Sequence, residues 1–247
     1  MAIPIYLKTD PDMPRPADSE FYLISADGAF LGRNHAFFVA DVPVRGFPRG
    51  LQPHSAFCRV RFPRLGRAAL EYIVGFFDRV YQLYGAEALV LLLWNQRRKR
   101  YKVWVPRQEA TVWESLNGVR TALDVTYELP VPFPKDHVLV ADIHSHCDFA
   151  AGASATDKFD ERFRDGVHAI VGRIDEREPP EFRVEISIAG SRFQMRFDQM
   201  FRGYQRRRHR VPAQWMEAVH VKVKRPQPYV QPSASQKYGY RSSTSRD

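Results

Sequence analysis

Two histidines, a serine and an aspartate stand in one short stretch of the chain with a spacing that suits metal chemistry. The stretch reads ADIHSHCDFAAGASATD, and His144 and His146 lie two apart on a predicted strand, so both point to the same face. Ser154 and Asp157 follow a glycine-containing loop, at the start of the next predicted helix. Two imidazoles and one carboxylate suit zinc, and three protein ligands leave a fourth tetrahedral position open, as in catalytic sites.

Each part of this pattern has a simpler explanation when it is taken alone. A His-x-His pair also occurs on surfaces and in cores, and Ser154 with Asp157 is the pattern of a helix N-cap. We expect that cap to form, because it brings the carboxylate to the histidines. The whole combination should arise by chance on the order of once in a thousand such chains. The pattern therefore favours a metal site.

The elements that must position these residues predict an α/β protein. Apolar residues recur at helical spacing between Gly66 and Gly85, and the run ALVLLLW after Glu87 is typical of a strand buried on both faces. YKVWV predicts a return strand after the basic turn NQRRKR, and VLVADIH predicts the strand that carries the histidines. Residues 107–137 have only a weak helical signal. Three further strands are predicted at HAIVGRI, FRVEISI and SRFQMRF, with a tight turn at Ala189-Gly190 between the last two.

The remaining segments suggest how the chain is divided. The first 65 residues have short apolar runs broken by glycine and proline, which predict small β-hairpins. Phe159 and Phe163 predict a short amphipathic helix, and the chain after about Pro226 is low in complexity and expected to be disordered. We therefore predict a β-rich extension over 1–65, a central domain over 66–200 and a basic, partly disordered segment over 201–247.

The charge of the chain lies almost entirely in its C-terminal segment. Residues 201–247 hold 11 Lys and Arg against 2 acidic residues, whereas the rest of the chain holds 26 of each sign. A basic segment of this kind can bind nucleic acid or an acidic partner, or can be a solvated tail. The chemistry is therefore expected in the neutral body.

Cysteine content and hydropathy indicate the compartment. Cys58 and Cys147 are too few and too far apart for a disulfide framework, which fits a reducing compartment. No apolar run approaches the roughly 18 residues that a membrane span needs, and the N-terminus lacks the apolar stretch of a signal peptide. We expect a cytoplasmic protein with no membrane partner.

With these residues the chain resembles the JAMM-motif family, the MPN/JAB zinc metalloproteases that release ubiquitin or ubiquitin-like proteins from their conjugates. His144-Ser-His146, Ser154 and Asp157 match the motif, and Glu87, 57 residues before His144, stands where the family has its glutamate. The resemblance covers roughly residues 66 to 200. It implies that this domain has an MPN/JAB-like (cytidine-deaminase-like) α/β fold, a mixed β-sheet flanked by helices, with the N-terminal β-rich extension added.

The resemblance also implies a reaction and roles for these residues. His144, His146 and Asp157 would bind Zn²⁺, Glu87 would be the general base for a zinc-bound water, and Ser154 would donate a hydrogen bond to the oxyanion. The enzyme would hydrolyse the peptide or isopeptide bond after the C-terminus of a ubiquitin-like protein. The layout is similar to the A protein of PRTRC bacterial gene cassettes, which implies a ubiquitin-like substrate and a ThiF-like activating enzyme as partners.

The sequence departs from the family pattern at a few positions. Cys147 replaces the proline that usually follows the second histidine, and we interpret it as a small buried residue rather than an inhibitory ligand. Ala141-Asp142 replaces the usual Gly-aromatic pair. Four other glutamates compete with Glu87, which is preferred for its position before a buried strand: Glu71, Glu109, Glu114 and Glu128.

Other functions compete with the peptidase hypothesis. HSHCD partly resembles the HxHxDH signature of the metallo-β-lactamase fold, but residue 149 is Phe; the histidinol-phosphatase type of phosphoesterase needs several more histidines downstream. A non-catalytic MPN scaffold is a third possibility, although every metal ligand is present. A fourth is a nucleic-acid-binding protein that uses the basic residues and aromatics of 201–225.

Overall fold

The protein is described from a computed structural model of the chain. The chain divides into two compact units, Met1–Phe57 and Cys58–Asp247. Phe163, most of the RRRHR run and the tail expected to be disordered lie outside the described residues. The described residues are 3–46, 52, 54–129, 132–161, 164–175, 179–206 and 210–226.

The N-terminal unit is a four-stranded sheet. Its strands are β1 (Ile5–Leu7), β2 (Glu20–Ser25), β3 (Gly28–His35) and β4 (Phe38–Pro43), in the order β1-β2-β3-β4. β2, β3 and β4 pair antiparallel, and β1 adds to β2 in parallel. The prediction of small hairpins in this region is confirmed.

The second unit is built against one long helix. α1 (Arg67–Tyr84) buries the apolar stripe that the sequence predicts, with Leu70, Ile73 and Phe77 fully buried. It ends at Gly85, which takes a left-handed conformation with φ 64° and donates its N–H to Tyr81 O. A Cβ at this position would lie 2.8 Å from the Cβ of Arg120, so both the backbone and the close approach require glycine.

A six-stranded sheet lies against α1. Its order is β12-β11-β10-β9-β5-β6, with β9 and β10 parallel and the other pairs antiparallel. The predicted buried strand, the histidine strand and the hairpin at Ala189-Gly190, where both φ angles are positive, are confirmed. Its strands are β5 (Leu89–Asn95), β6 (Arg100–Trp104), β9 (His137–Ser145), β10 (Gly166–Gly172), β11 (Glu181–Ile188) and β12 (Ser191–Met195).

A third sheet occupies the part of the sequence that had only a weak helical signal. β7 (Gln108–Glu114) and β8 (Arg120–Tyr127) form an antiparallel pair, and β13 (Val219–Lys224) joins β7 in parallel. Gln108, Ala110 and Val112 alternate as the buried residues of β7. The helical signal was misleading because Glu and Ala favour helices locally, whereas pairing with a strand more than a hundred residues later decides the structure.

The prediction of an MPN/JAB-like α/β fold with a sheet flanked by helices is wrong. The described residues form thirteen strands in three sheets. Besides α1 they form only three short helices: α2 (Ala155–Glu161), α3 (Phe197–Met200) and α4 (Ala213–Glu217). α2 is also less amphipathic than expected, because Phe159 is 64% exposed. Among the described residues no helix is both long and apolar enough to cross a membrane.

Candidate metal centre

Strand β9 brings the two histidines together. His144 is buried near the end of the strand, and His146 follows directly after it. The N–H of His146 donates to Val171 O at 2.9 Å, which continues the pairing with β10 beyond the last residue of β9. The two Nε2 atoms therefore lie 3.1 Å apart on one face of the strand.

The start of α2 brings Asp157 to the same place. The main-chain N–H of Ser154 donates to Asp157 Oδ2 at 2.7 Å, and the N–H of Asp157 donates to Ser154 Oγ at 3.1 Å. This reciprocal pair is the capping arrangement that the sequence predicts. It places Asp157 Oδ1 3.6 Å from His144 Nε2 and Asp157 Oδ2 3.4 Å from His146 Nε2.

The spacing of these donor atoms fits a zinc ion. A zinc ion with bonds of about 2.0–2.2 Å holds tetrahedral ligand atoms about 3.3–3.6 Å apart, and the three observed spacings run from 3.1 to 3.6 Å. An octahedral Mg²⁺ site requires about 2.9 Å and prefers oxygen donors. Nδ1 of His146 lies 3.3 Å from Ala150 O, so a proton on Nδ1 leaves the Nε2 lone pair free.

The electrostatics favour the protonation states that bind a metal. Burial lowers the pKa of His144 below its ordinary value, which keeps the imidazole neutral. Burial acts to raise the pKa of Asp157, but the hydrogen bond with His146 and the charge of His144 outweigh it and lower that pKa well below its usual range. A neutral imidazole and an ionised carboxylate are the forms that ligate a cation.

Glu87 lies beside this centre without belonging to it. It is half-buried two residues before β5, and its charge interacts with those of His146 and Asp157. Burial raises its pKa to about 7, with a contribution from Asp157, against the lowering effect of His146. The three donors within 4.8 Å of one another are those of His144, His146 and Asp157, so Glu87 is placed as a neighbour rather than a ligand.

The backbone directly after Glu87 is held from two sides. Ala88 N–H donates to Ser145 Oγ, and Ser145 N–H donates back to Ala88 O, both at 2.9 Å. Leu89 N–H donates to Gln108 Oε1 at 2.8 Å, and Gln108 Nε2 donates to Leu89 O at 3.0 Å. Gln108 is buried, so β7 fixes the strand that carries the glutamate. The sequence gave no sign of this role for Gln108.

The other glutamates considered for this role are engaged elsewhere. Glu71 lies on α1 and pairs with Arg67 at 3.3 Å, and Glu109 pairs with Lys222 at 3.3 Å. Glu114 pairs with Arg120 and Arg225, and Glu128 is exposed after β8. None of them is among the charges that affect the pKa of the three donors.

Ser154 and Cys147 lie at the edge of the centre. Ser154 is exposed, and its hydroxyl oxygen accepts the Asp157 N–H, so its own hydrogen can be donated to another group. Cys147 is fully buried, as predicted, and burial raises the pKa of its thiol, which stays protonated. It therefore does not act as a thiolate ligand in this arrangement.

A second buried polar cluster adjoins the centre. Asp142, 3% exposed, lies two residues before His144 on β9 and opposite His168 of β10. His168 Nδ1 lies 2.7 Å from Asp142 Oδ2, and Arg164 donates to the same oxygen and to Tyr127. Burial acts to raise the pKa of Asp142, but His168 and Arg164 outweigh it, so the carboxyl stays ionised. Sequence reasoning noted Asp142 only as a departure from the family pattern, and the alternation D-x-H was the available signal.

Comparison with known proteins adds little to this picture. No protein-family model matches the chain, and no curated protein matches it. Among solved structures it is similar to protein DSY2949 from Desulfitobacterium hafniense, determined in solution. The two are 14% identical with a TM-score of 0.34, over 65% of this chain and 92% of that chain. A likeness at this level carries no conclusion about fold or function.

Proposed function

We propose that this chain is a zinc-dependent hydrolase of amide bonds, with His144, His146 and Asp157 as the metal ligands. The observation that carries the proposal is the convergence of two imidazole nitrogens and a carboxylate at 3.1 to 3.6 Å, with a second carboxylate beside them. A zinc ion held there would supply a Lewis acid and lower the pKa of a coordinated water to about 7.

The other residues of the centre supply proton transfer and polar contacts. Glu87 has a pKa of about 7, so its carboxylate can accept a proton from the attacking water and return it to the leaving amine near neutral pH. The hydroxyl hydrogen of Ser154 can be donated to the oxygen of the carbonyl under attack. Ser145 and Gln108 hold the backbone next to Glu87 and so fix its distance from the ligands.

We propose the C-terminal bond of a ubiquitin-like protein as the substrate. The support for this substrate is the match of Glu87, His144, His146, Ser154 and Asp157 to the JAMM motif. It rests on the motif alone, because the overall fold differs from the one that the resemblance implied. A cytoplasmic role with a ubiquitin-like partner belongs to the same proposal.

Metal analysis combined with cleavage tests the proposal. We expect about one zinc per chain and hydrolysis of a ubiquitin-like fusion that a chelator abolishes and zinc restores. Glu87→Gln should keep the zinc and lose about 10²- to 10⁴-fold in rate, because it removes the base and spares the ligands. Glu109→Gln, at a glutamate paired with Lys222, is the matched control and should retain the rate.

The outcomes separate the parts of the proposal. Hydrolysis that survives Glu87→Gln would refute the role of the base. Protein that binds zinc stoichiometrically but cleaves neither a linear fusion nor an isopeptide conjugate would refute the substrate. Absence of zinc from protein prepared with ample metal would refute the centre itself and favour a non-catalytic module.

A further inference from the structure

The hairpin formed by β5 and β6 carries a dense group of positive charges. From residue 88 to residue 108 the sequence has six Lys and Arg and no acidic residue. Four of the six follow one another at the tip of the hairpin, and the tip is exposed. The cations are Arg97, Arg98, Lys99, Arg100, Lys102 and Arg107. The hairpin is therefore a cationic surface within a body that has no net charge outside residues 201–247.

Alternation along β6 arranges part of this charge beside an aromatic ring. β6 is an edge strand of the six-stranded sheet, and Arg100, Lys102 and Trp104 share one face of it. The amine of Lys102 lies 4.4 Å from the centre of the Trp104 ring, which is half-buried. Cations and an indole thus lie side by side on an accessible strand.

The base of the hairpin forms a cleft of about 450 Å³ with a fixed floor. Asn95 is buried there, its Oδ1 accepts the N–H of Arg98 at 2.6 Å, and its Nδ2 lies 3.3 Å from His137 Nε2. His137 Nδ1 in turn lies 2.8 Å from Lys135 O. The cleft is lined by Asn95, Arg98, Arg100, Tyr101, Lys102 and His137, with no carboxylate among them.

The cations of the hairpin have no acidic partners in the described part of the chain. No ion pair there involves any residue from Arg97 to Lys102, whereas Lys222 and Arg225 of the third sheet pair with Glu109 and Glu114. A lysine on an edge strand can serve only to prevent edge-to-edge pairing. That role does not require three cations around one cleft, where their mutual repulsion opposes folding.

We propose that the β5–β6 hairpin is a binding site for single-stranded nucleic acid. Arg98, Arg100 and Lys102 contact phosphates at the cleft, since a guanidinium group matches the geometry of a phosphate. Trp104 offers a face on which a base stacks. This ring is the reason to choose nucleic acid over an acidic polypeptide, which would use the charges alone. The site is distinct from the basic segment 201–247 and independent of the proposed hydrolase.

The test uses the full chain and two variants that lose the same charge. Arg98→Gln/Arg100→Gln/Lys102→Gln removes the hairpin cations, and Lys222→Gln/Lys224→Gln/Arg225→Gln removes three from β13 and the residue after it. Binding of a labelled oligothymidylate is followed by anisotropy over a range of salt. The hairpin variant should bind at least about tenfold more weakly, with a salt slope reduced by about 2, and the control should change by less than about threefold.

A second pair of variants tests the stacking. Trp104→Leu should weaken binding about tenfold, and Trp104→Phe should retain most of it because a ring remains. Thermal unfolding verifies that each variant is folded. Equal losses in the two charge variants, no binding by the unchanged protein, or no effect of Trp104→Leu would overturn the proposal. Competition by polyglutamate as strong as that by unlabelled oligothymidylate would assign the hairpin to an acidic polypeptide instead.

Discussion

Two clusters of histidine and aspartate lie side by side on β9, and they solve the problem of buried charge in different ways. In the cluster of Asp142, both ring nitrogens of His168 face oxygen atoms, and Arg164 donates to the same carboxylate. In the metal centre, the Nε2 atoms of His144 and His146 and the carboxylate of Asp157 all direct lone pairs at one another. A single proton can satisfy only one of these pairs at a time.

The difference shows that residue type alone does not identify a metal site. The cluster of Asp142 contains its own cations and is complete without an ion. The centre of Asp157 lacks an internal cation and is completed by one. The same substitution, Asp to Asn, therefore has opposite consequences at the two positions, and the following predictions use this contrast.

The largest effect is expected on stability when Asp142 is changed. Asp142→Asn leaves Arg164 and His168 without their buried counter-charge, so the free energy of unfolding of chelated protein should fall by about 3–5 kcal/mol. Chemical denaturation measures this change. Asp157→Asn is the matched control and should cost less than about 1 kcal/mol, because an amide oxygen can still cap α2. Equal losses at the two positions would remove the distinction between the clusters.

The contrast reverses when zinc affinity is measured. Asp157→Asn removes the anionic ligand and should weaken zinc binding by more than about 100-fold, whereas Asp142→Asn should change it by no more than about tenfold. Competition with a chromophoric chelator measures both constants. An unchanged zinc affinity in Asp157→Asn would show that the three donors do not form the site.

A smaller effect links Glu87 to pH in metal-free protein. The pKa of Glu87 is raised from 4.5 to about 7 in the folded state, so its ionisation opposes folding as the pH rises between those values. Glu87→Gln should match the unchanged protein below about pH 4.5 and be more stable above pH 7, by at most about 3 kcal/mol. Denaturation at a series of pH values measures the difference, and a difference independent of pH would contradict the raised pKa.

The smallest effect is expected at the cap of α2. Ser154→Ala removes the hydroxyl oxygen that accepts the Asp157 N–H and should cost about 1 kcal/mol of stability. Thr156→Ala, at an exposed position within the helix, is the control and should change stability by less than about 0.5 kcal/mol. A loss at Thr156 as large as that at Ser154 would show that the cap does not hold the carboxylate.

The sequence was informative where the structure depends on neighbours along the chain. The periodicity of α1, the apolar run of β5 and the capping pattern at Ser154 and Asp157 are local signals, and each corresponds to an observed element. These elements also bring Glu87 near the histidines.

The sequence was uninformative where residues far apart decide the outcome. Gln108 and β13 are separated by 111 residues at their register pair with Val219, and Asp142 meets His168 from another strand. No pattern within either segment specifies its partner. The fold class was wrong for this reason, since the third sheet depends on that distant pairing.

The parallel pairing of β13 with β7 has a consequence for how the protein is made. During synthesis the ribosome releases β7 long before β13, so Gln108 must wait for nearly the whole chain before its own strand is paired on that side. Pairings between such distant segments form slowly, because closing a long loop costs entropy before any contact compensates. The hydrogen bonds that Gln108 makes to Leu89 therefore become secure late, which delays a finished catalytic centre until the polypeptide is almost complete.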